Sequence, residues 1–324
     1  MNILILRFSA LGDLITLEPT FRAIRYFFPD AEIHFVTSSL GKGLYEDTSY
    51  FNKIVVHKNM LNTLQCVRQS SYDLVYNLHC NSLSHFIISI VRYKHLINIS
   101  ATWLQKIIGI KIPAKLLPTL LEESNLNKKS IVDYMHNEES LLIRLSYSKD
   151  HPLSKIFDKK TIVFSTGSSE KWSSKRWEIE KFILLIKKLK TPYLDIALVG
   201  TDIEKDDALL IEHTIPDIKN FVGKTTLGEL KILLANAMLY VGNDSGPSHM
   251  AAALGTNTVT IFASTGIHHC VKFGKYQGSH YCIKPKEDIT CHPCYKPKCP
   301  TNKECTKSIS VDEVYTVIQR IINE

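Results

Sequence analysis

The run Tyr240-Val-Gly-Asn-Asp-Ser-Gly-Pro-Ser-His-Met-Ala-Ala-Ala-Leu-Gly255 takes an apolar strand through a turn of small residues straight into a helix. Such a turn leaves backbone N–H groups without partners at the helix start, where the helix dipole is positive. It therefore suits a phosphate or a polar sugar. Asp244 can accept hydrogen bonds from sugar hydroxyls, Ser245 and Gly246 open the turn, and the Gly246-Pro247 pair lets backbone come close to a ligand. His249, about one turn into the helix, is either a structural histidine or a ligand contact beside Asp244. The stretch reads as a nucleotide-sugar pocket.

Three other turns could carry chemistry. Phe8-Ser-Ala-Leu-Gly-Asp-Leu14 links the first strand to the first helix, where doubly wound sheets bind ligands. Asp13 there is either a carboxylate favoured by the helix dipole or a general base taking a proton from an acceptor hydroxyl. Ser9 and Gly12 are candidate acceptor contacts. The turn is not a GxGxxG fingerprint, which disfavours a nicotinamide enzyme. The loop Phe164 to Trp177 offers Thr166, Gly167, Ser168 and Ser169 with Lys171, Lys175 and Arg176, a set suited to a pyrophosphate leaving group. The plainer alternative is a solvated loop capping a helix, and no Walker A pattern is present. Gly200-Thr-Asp202 could approach a ribose or base, though Asp202 and Glu204 serve equally as helix-start carboxylates. Thr225 and Thr226 follow Gly223 and are further nucleotide candidates.

Two features are regional. From Leu74 to Leu121 the chain has no Asp or Glu but has Arg92, Lys94, Lys106, Lys111 and Lys115, with Trp103 and Ile107-Ile108. This is a helix pair with a solvated basic face, or a surface for anionic lipid or a phosphorylated acceptor. Arg92 and Lys94 are its candidate acceptor contacts. Cys291, Cys294, Cys299 and Cys305 cluster, with prolines 293, 297 and 300 stiffening the loop. They are either a structural zinc or iron set or reduced thiols in a Pro-rich loop.

Alternating strands and helices position these turns. Strands are expected at Asn2–Phe8, Glu32–Thr37, Lys53–Val56 and Leu74–Leu78, with helical periodicity over Leu14–Phe28 and Ile131–Leu145. The pattern restarts after a polar segment, Ser148–Lys160, that serves as linker. Strands follow at Thr161–Ser165, Asp195–Val199, Asn220–Val222, Leu239–Gly242 and Thr258–Phe262. Ser310-Val-Asp-Glu313 is a capping box opening a last helix. This rhythm implies two α/β, Rossmann-like domains, each a doubly wound parallel sheet, at residues 1–155 and 156–324. His268-His269 falls in the predicted cleft without an assigned role. The chain's 324 residues suit two domains, and a formal charge of +7 is too mild and unpatterned for a nucleic-acid binder. The start lacks a secretory n-region and no apolar run reaches a membrane span. That points to a cytoplasmic protein in which a disulfide framework is not expected.

Together these residues resemble glycosyltransferase family 9, the ADP-heptose lipopolysaccharide heptosyltransferases. The resemblance covers nearly the whole chain and rests on Arg7-Phe-Ser-Ala-Leu-Gly-Asp13, Tyr72–Leu78, Ser173-Ser-Lys-Arg-Trp177, Val222–Glu229, Gly242-Asn-Asp-Ser-Gly-Pro-Ser-His249 and Ile309–Val314. It implies a GT-B fold, two Rossmann-like domains facing a central cleft, the first binding acceptor and the second the nucleotide sugar. It implies inverting transfer of heptose from ADP-heptose to an inner-core or lipid A-linked Kdo sugar at the inner-membrane surface, with no obligatory cofactor. Asp13 would be the base, Lys175 the phosphate-binding lysine, and Thr166 and Ser168 flank the pyrophosphate. Asp244 would hold heptose hydroxyls, Ser245 and Gly246 supply N–H groups, His249 support the turn, and the last helix (about 310–322) cross back to the first domain. Ala263-Ser-Thr-Gly-Ile267 and Ser165-Thr-Gly167 depart from common family patterns. A protein acceptor, as in an iron-containing subfamily, and a non-catalytic nucleotide-sugar-binding protein are the alternatives.

Overall fold

Asn2–Leu6 (β1) is the middle of a parallel sheet, and Ile3, Leu4, Ile5 and Leu6 are wholly buried. A strand covered on both faces has no polar side, which is why it reads as an unbroken apolar run. The computed structural model describes residues 1–98, 133–134, 137–267, 276–286 and 289–323. The chain divides into two compact units between Ser146 and Tyr147.

In the first unit, Glu32–Thr37 (β2), Lys53–Val56 (β3), Ser71–Asn77 (β4) and Arg92–Asn98 (β5) join β1 in the order β3-β2-β1-β4-β5. All pairings are parallel. The order reverses between β1 and β4, the topological switch point where α/β sheets bind ligands beyond their carboxyl ends. The expected helix Leu14–Phe28 is two helices, Leu11–Thr16 (α1) and Glu18–Phe27 (α2). Pro19 sits in the first turn of α2, where its missing N–H costs nothing. Ser39–Tyr45 (α3), Met60–Val67 (α4) and Ser82–Ile90 (α5) follow. Within the acid-free stretch Leu74–Leu121, α5 leads into β5 as far as Asn98. Register with β4 captures Arg92-Tyr-Lys-His-Leu-Ile-Asn98 as a strand, from Arg92 opposite Ser71 to Asn98 opposite Asn77. Trp103, Lys106, Ile107, Ile108, Lys111 and Lys115 lie outside the described residues.

The expected helix to Leu145 is also corrected. Glu138–Leu141 is a short 3₁₀ turn and the chain is then extended. Tertiary hydrogen bonds override the periodicity here. Arg22 donates to the Glu139 and Leu142 carbonyls at 3.0 and 2.5 Å, and the Arg144 N–H reaches the buried Glu18 carboxylate at 3.0 Å.

In the second unit, Lys160–Ser165 (β6), Leu194–Leu198 (β7), Lys219–Asn220 (β8), Leu239–Asn243 (β9), Asn257–Ile261 (β10) and His280–Ile283 (β11) form a parallel sheet. Its order is β11-β10-β9-β6-β7-β8, with the switch point between β6 and β9. Ile179–Leu189 (α6), Lys205–Thr214 (α7), Leu227–Ala235 (α8), Gly246–Ala253 (α9), Glu304–Ser308 (α10) and Val311–Asn323 (α11) are its helices. The last helix begins where its capping serine predicts, with the Glu313 N–H on Ser310 Oγ at 3.2 Å. Its buried face, Val314, Ile318 and Ile321, sits in the core of this second unit. Within the segment expected as the interdomain linker, Ser148–Lys160, the Ile156 carbonyl accepts a hydrogen bond from Lys219 at 3.1 Å. Among the described residues no helix is long and apolar enough to cross a membrane.

Candidate functional site

The turn after β1 is built around Arg7. This residue is 8% exposed, and its guanidinium donates through Nη1 to the Leu78 carbonyl and through Nη2 to Asp13 Oδ2, both at 2.6 Å. Burial draws the guanidinium below the usual arginine range and the Asp13 charge opposes that pull. The Ala10 N–H adds a hydrogen bond to Asp13 Oδ2 at 3.1 Å. Asp13 thus serves the start of α1, the plainer of its two readings, and is also held by a buried cation at the carboxyl edge of the sheet. Ser9 is exposed in this turn and Gly12 half-buried within α1. Phe8 lies between His57 and His79, ring centroids 5.6 and 5.3 Å away, at the ends of β3 and β4.

Arg92 and Lys94 are not brought to this edge. Arg92 opens β5, and the Lys94 ammonium pairs with Asp73 at 2.7 Å. Both are exposed at the amino end of the sheet, roughly 13–20 Å along the strands from the level of Asn77.

In the second unit, the loop after β6 and the turn after β9 meet across the switch point. Asn243, fully buried at the end of β9, holds them together. Its amide donates to the Thr166 and Gly167 carbonyls at 2.7 and 3.2 Å and accepts the Trp177 N–H at 3.0 Å. The residue stood in the quoted motif without a role; a buried Asn directly before the turn was the available signal. Gly242 is required for a steric reason, since a Cβ there would strike the Tyr240 hydroxyl and come within 2.8 Å of the Ser165 carbonyl.

Lys175 and Asp244 then form a buried ion pair, Nζ to Oδ2 at 2.7 Å. The ammonium also lies 4.9 Å over the Trp172 ring. Thr265 donates its hydroxyl to Asp244 Oδ2 at 2.6 Å, and His249 Nε2 stands 3.6 Å from Oδ1, an ion-pair contact longer than a hydrogen bond. Burial alone would raise the Asp244 carboxyl, but His249 and Lys175 overcome it and hold the group well below the usual carboxylate range. Ser245 caps α9, and its Oγ is buried without a hydrogen-bond partner. The start of α9 therefore presents a cation, a spare hydroxyl and a positive dipole end together, an arrangement for a phosphate.

The remaining predicted residues divide. Thr166 is buried and donates to Asp207 at 3.0 Å. The Ser168 hydroxyl donates to the Trp172 carbonyl at 2.7 Å and accepts from Arg176, so it shapes the loop. Asp202 is largely exposed, paired with Lys205 at 2.9 Å, and lies against Gly223, whose φ is +68°. Glu204 closes a capping box with Thr201, the plainer of its readings, and its carboxylate fills the space that a Gly167 side chain would need. Thr226 is a helix cap, its hydroxyl on Glu229 at 2.9 Å. His268 and His269 lie outside the described residues.

The clustered thiols are neighbours. Burial, with the charges of Cys299, Cys294 and Cys291 adding, pushes the Cys305 thiol up to about 11. Hydrogen bonds around Thr301 and Lys303 outweigh burial and lower Cys299. However, among the described residues no group of three or more His, Cys, Asp or Glu is arranged to hold a metal ion, so the proposed zinc or iron set does not close in this geometry. Cys282 on β11 is disulfide-bonded. Cysteine spacing along a chain does not say which thiols meet.

Two parallel doubly wound units, each with polar residues gathered at its switch point, make up a GT-B fold. The profile of Glycosyltransferase family 9 (heptosyltransferase) matches residues 60–304, and the chain belongs to that family. It is 24% identical over 292 residues to lipopolysaccharide heptosyltransferase 1 of Campylobacter coli, covering 82% of this chain and 84% of the relative. Its fold is similar to that of a family 9 glycosyltransferase from Veillonella parvula, with a TM-score of 0.76 at 17% identity over 99% and 97% of the two chains. The fold of E. coli ADP-heptose lipopolysaccharide heptosyltransferase II is also similar, with a TM-score of 0.72 at 17% identity over 100% and 99%.

Proposed function

We propose that this enzyme transfers heptose from ADP-heptose to an inner-core lipopolysaccharide sugar, with inversion, as a peripheral protein at the cytoplasmic face of the inner membrane. The observation that carries the donor half is the Lys175–Asp244 pair at the start of α9. The acceptor hydroxyl oxygen attacks the anomeric carbon as the bond from that carbon to the pyrophosphate oxygen breaks. ADP leaves with the electron pair, and the hydroxyl proton passes to Asp13. Lys175, the Ser245 hydroxyl and the N–H groups of Ser245 and Gly246 receive the charge developing on the pyrophosphate. Asp244 keeps Lys175 and His249 aimed and accepts hydroxyls of the sugar. Thr166, Ser168 and Asp202 line the nucleotide side; Ser9 and Gly12 flank the acceptor hydroxyl.

A relative matched over most of the chain is named for lipopolysaccharide, which favours that acceptor over a protein. Purified enzyme should release ADP only when ADP-heptose and a core acceptor are both present. No release with any of several truncated core acceptors, from protein that binds ADP, counts against the acceptor assignment.

A further inference from the structure

The transfer chemistry leaves the Cys-rich loop without a task. Its backbone between Cys294 and Cys299 is hydrogen-bonded to the donor site. The Tyr295 N–H donates to the Ser264 carbonyl at 3.0 Å, and the Ser174 N–H donates to the Pro297 carbonyl at 3.2 Å. Ser174 Oγ donates to the Lys296 carbonyl at 2.5 Å and lies 2.9 Å from Ser264 Oγ. A hydroxyl has one proton to give, so Ser264 is the donor in that last contact. Ser174 and Ser264 are 2% and 1% exposed.

Both serines stand next to the ion pair. Ser174 precedes Lys175. Ser264 precedes Thr265, whose hydroxyl donates to Asp244 Oδ2 at 2.6 Å. Lys175 itself sits in a 3₁₀ turn of three residues, Ser173–Lys175, too short to hold its own shape. Its long side chain must nevertheless be presented as one point charge, and lysine carries much rotamer freedom to lose. We propose that the Cys-rich loop is the buttress of the donor site and that Ser174 is its positioning residue, seating Lys175 and, through Ser264 and Thr265, Asp244. The inference rests on that pair being the nucleotide site.

Whatever fixes the loop, whether its packing, its prolines or chemistry at its thiols, is transmitted to donor affinity along these hydrogen bonds.

The test is an ADP titration by calorimetry on the full chain, with donor and acceptor KM measured alongside. Ser174→Ala should weaken ADP about tenfold and raise the donor KM, leaving the acceptor KM unchanged. Pro297→Gly removes no buried side chain, since Pro297 is exposed. It loosens the Pro297 carbonyl that the Ser174 N–H uses and, beside it, the Lys296 carbonyl that Ser174 Oγ uses, so it should weaken ADP in the same sense with the melting temperature near wild type. The double variant Ser174→Ala/Ser264→Ala should be no weaker than Ser174→Ala alone, because one network is lost in both. Wild-type ADP affinity in Pro297→Gly, or additive losses in the double variant, would overturn the proposal, and Pro297→Gly decides the matter should Ser174→Ala not fold. Absence of ADP binding by the wild type would instead sink the donor-site reading itself.

Discussion

The guanidinium of Arg7 and the carboxylate of Asp13 meet at 2.6 Å across the turn that leaves β1. Arg7 also reaches the Leu78 carbonyl at the end of β4, so one side chain ties the proposed base to both strands of the switch point. The buried cation fixes where the carboxylate stands.

Removing either partner should therefore damage chemistry rather than donor binding. Asp13→Ala is expected to lower kcat by about 10²–10⁴-fold, the usual worth of a general base, with ADP affinity unchanged. Arg7→Met should also lower kcat and leave ADP affinity alone, since the nucleotide residues belong to the other unit. Steady-state rates with calorimetry on the same preparations check both. Near-wild-type turnover in Asp13→Ala would remove that residue as the base.

Asp244 links the donor site to acid stability. Its carboxyl is held below the usual range in the folded protein, whereas in the unfolded chain it titrates near 3.9. The stability it contributes is complete above that unfolded value and is lost as pH falls through the folded one. Asp244→Asn leaves the Lys175 ammonium, 18% exposed, without its anion and should cost about 3 kcal/mol at pH 7. Denaturant melts should show this gap shrinking as pH falls below about 4. A gap that widens on acidification would contradict the assigned direction.

Asn243 makes a prediction of a different kind, because no substrate need touch it. Asn243→Ala strands two carbonyls and an N–H that the amide now satisfies. A loss of about 2–3 kcal/mol is expected, with weaker ADP binding because the loop bearing Lys175 is unpinned. Asn243→Asp can still accept from Trp177 but cannot donate to the Thr166 and Gly167 carbonyls, so it should not restore ADP affinity. Recovery in that variant would show that the donating side is dispensable.

Gly242→Ala tests the close approach under the same turn. Its Cβ must displace the Ser165 carbonyl, 2.8 Å away, which belongs to the paired strand β6 and cannot yield easily. Overpacking of this sort costs about 1–3 kcal/mol. Combining it with Tyr240→Phe should relieve only part of the loss, since the backbone clash remains. Thermal melts of the single and double variants measure the share of each clash.

By itself the chain determined where strands empty into turns, because apolar runs, small residues and helix caps are local properties. Asp13, Lys175 and Asp244 were legible for that reason, each a charged residue in or beside such a turn. So was the parallel, doubly wound architecture, from strands without a polar face such as Ile3–Leu6. The helix expected to run to Leu145 stops short because Arg22 and Glu18 hold the backbone of Glu139, Leu142 and Arg144, and within the acid-free stretch β4 captures Arg92–Asn98 as a strand. Strand order was not local either, and it is strand order that sets Lys175 against Asp244, 69 residues on, while leaving Arg92 and Lys94 at the wrong end of the sheet. Only the tertiary structure could decide that Asn243, Arg7 and Ser174 do the positioning. Their significance lies in hydrogen bonds to backbone carbonyls, and a carbonyl has no letter in the sequence.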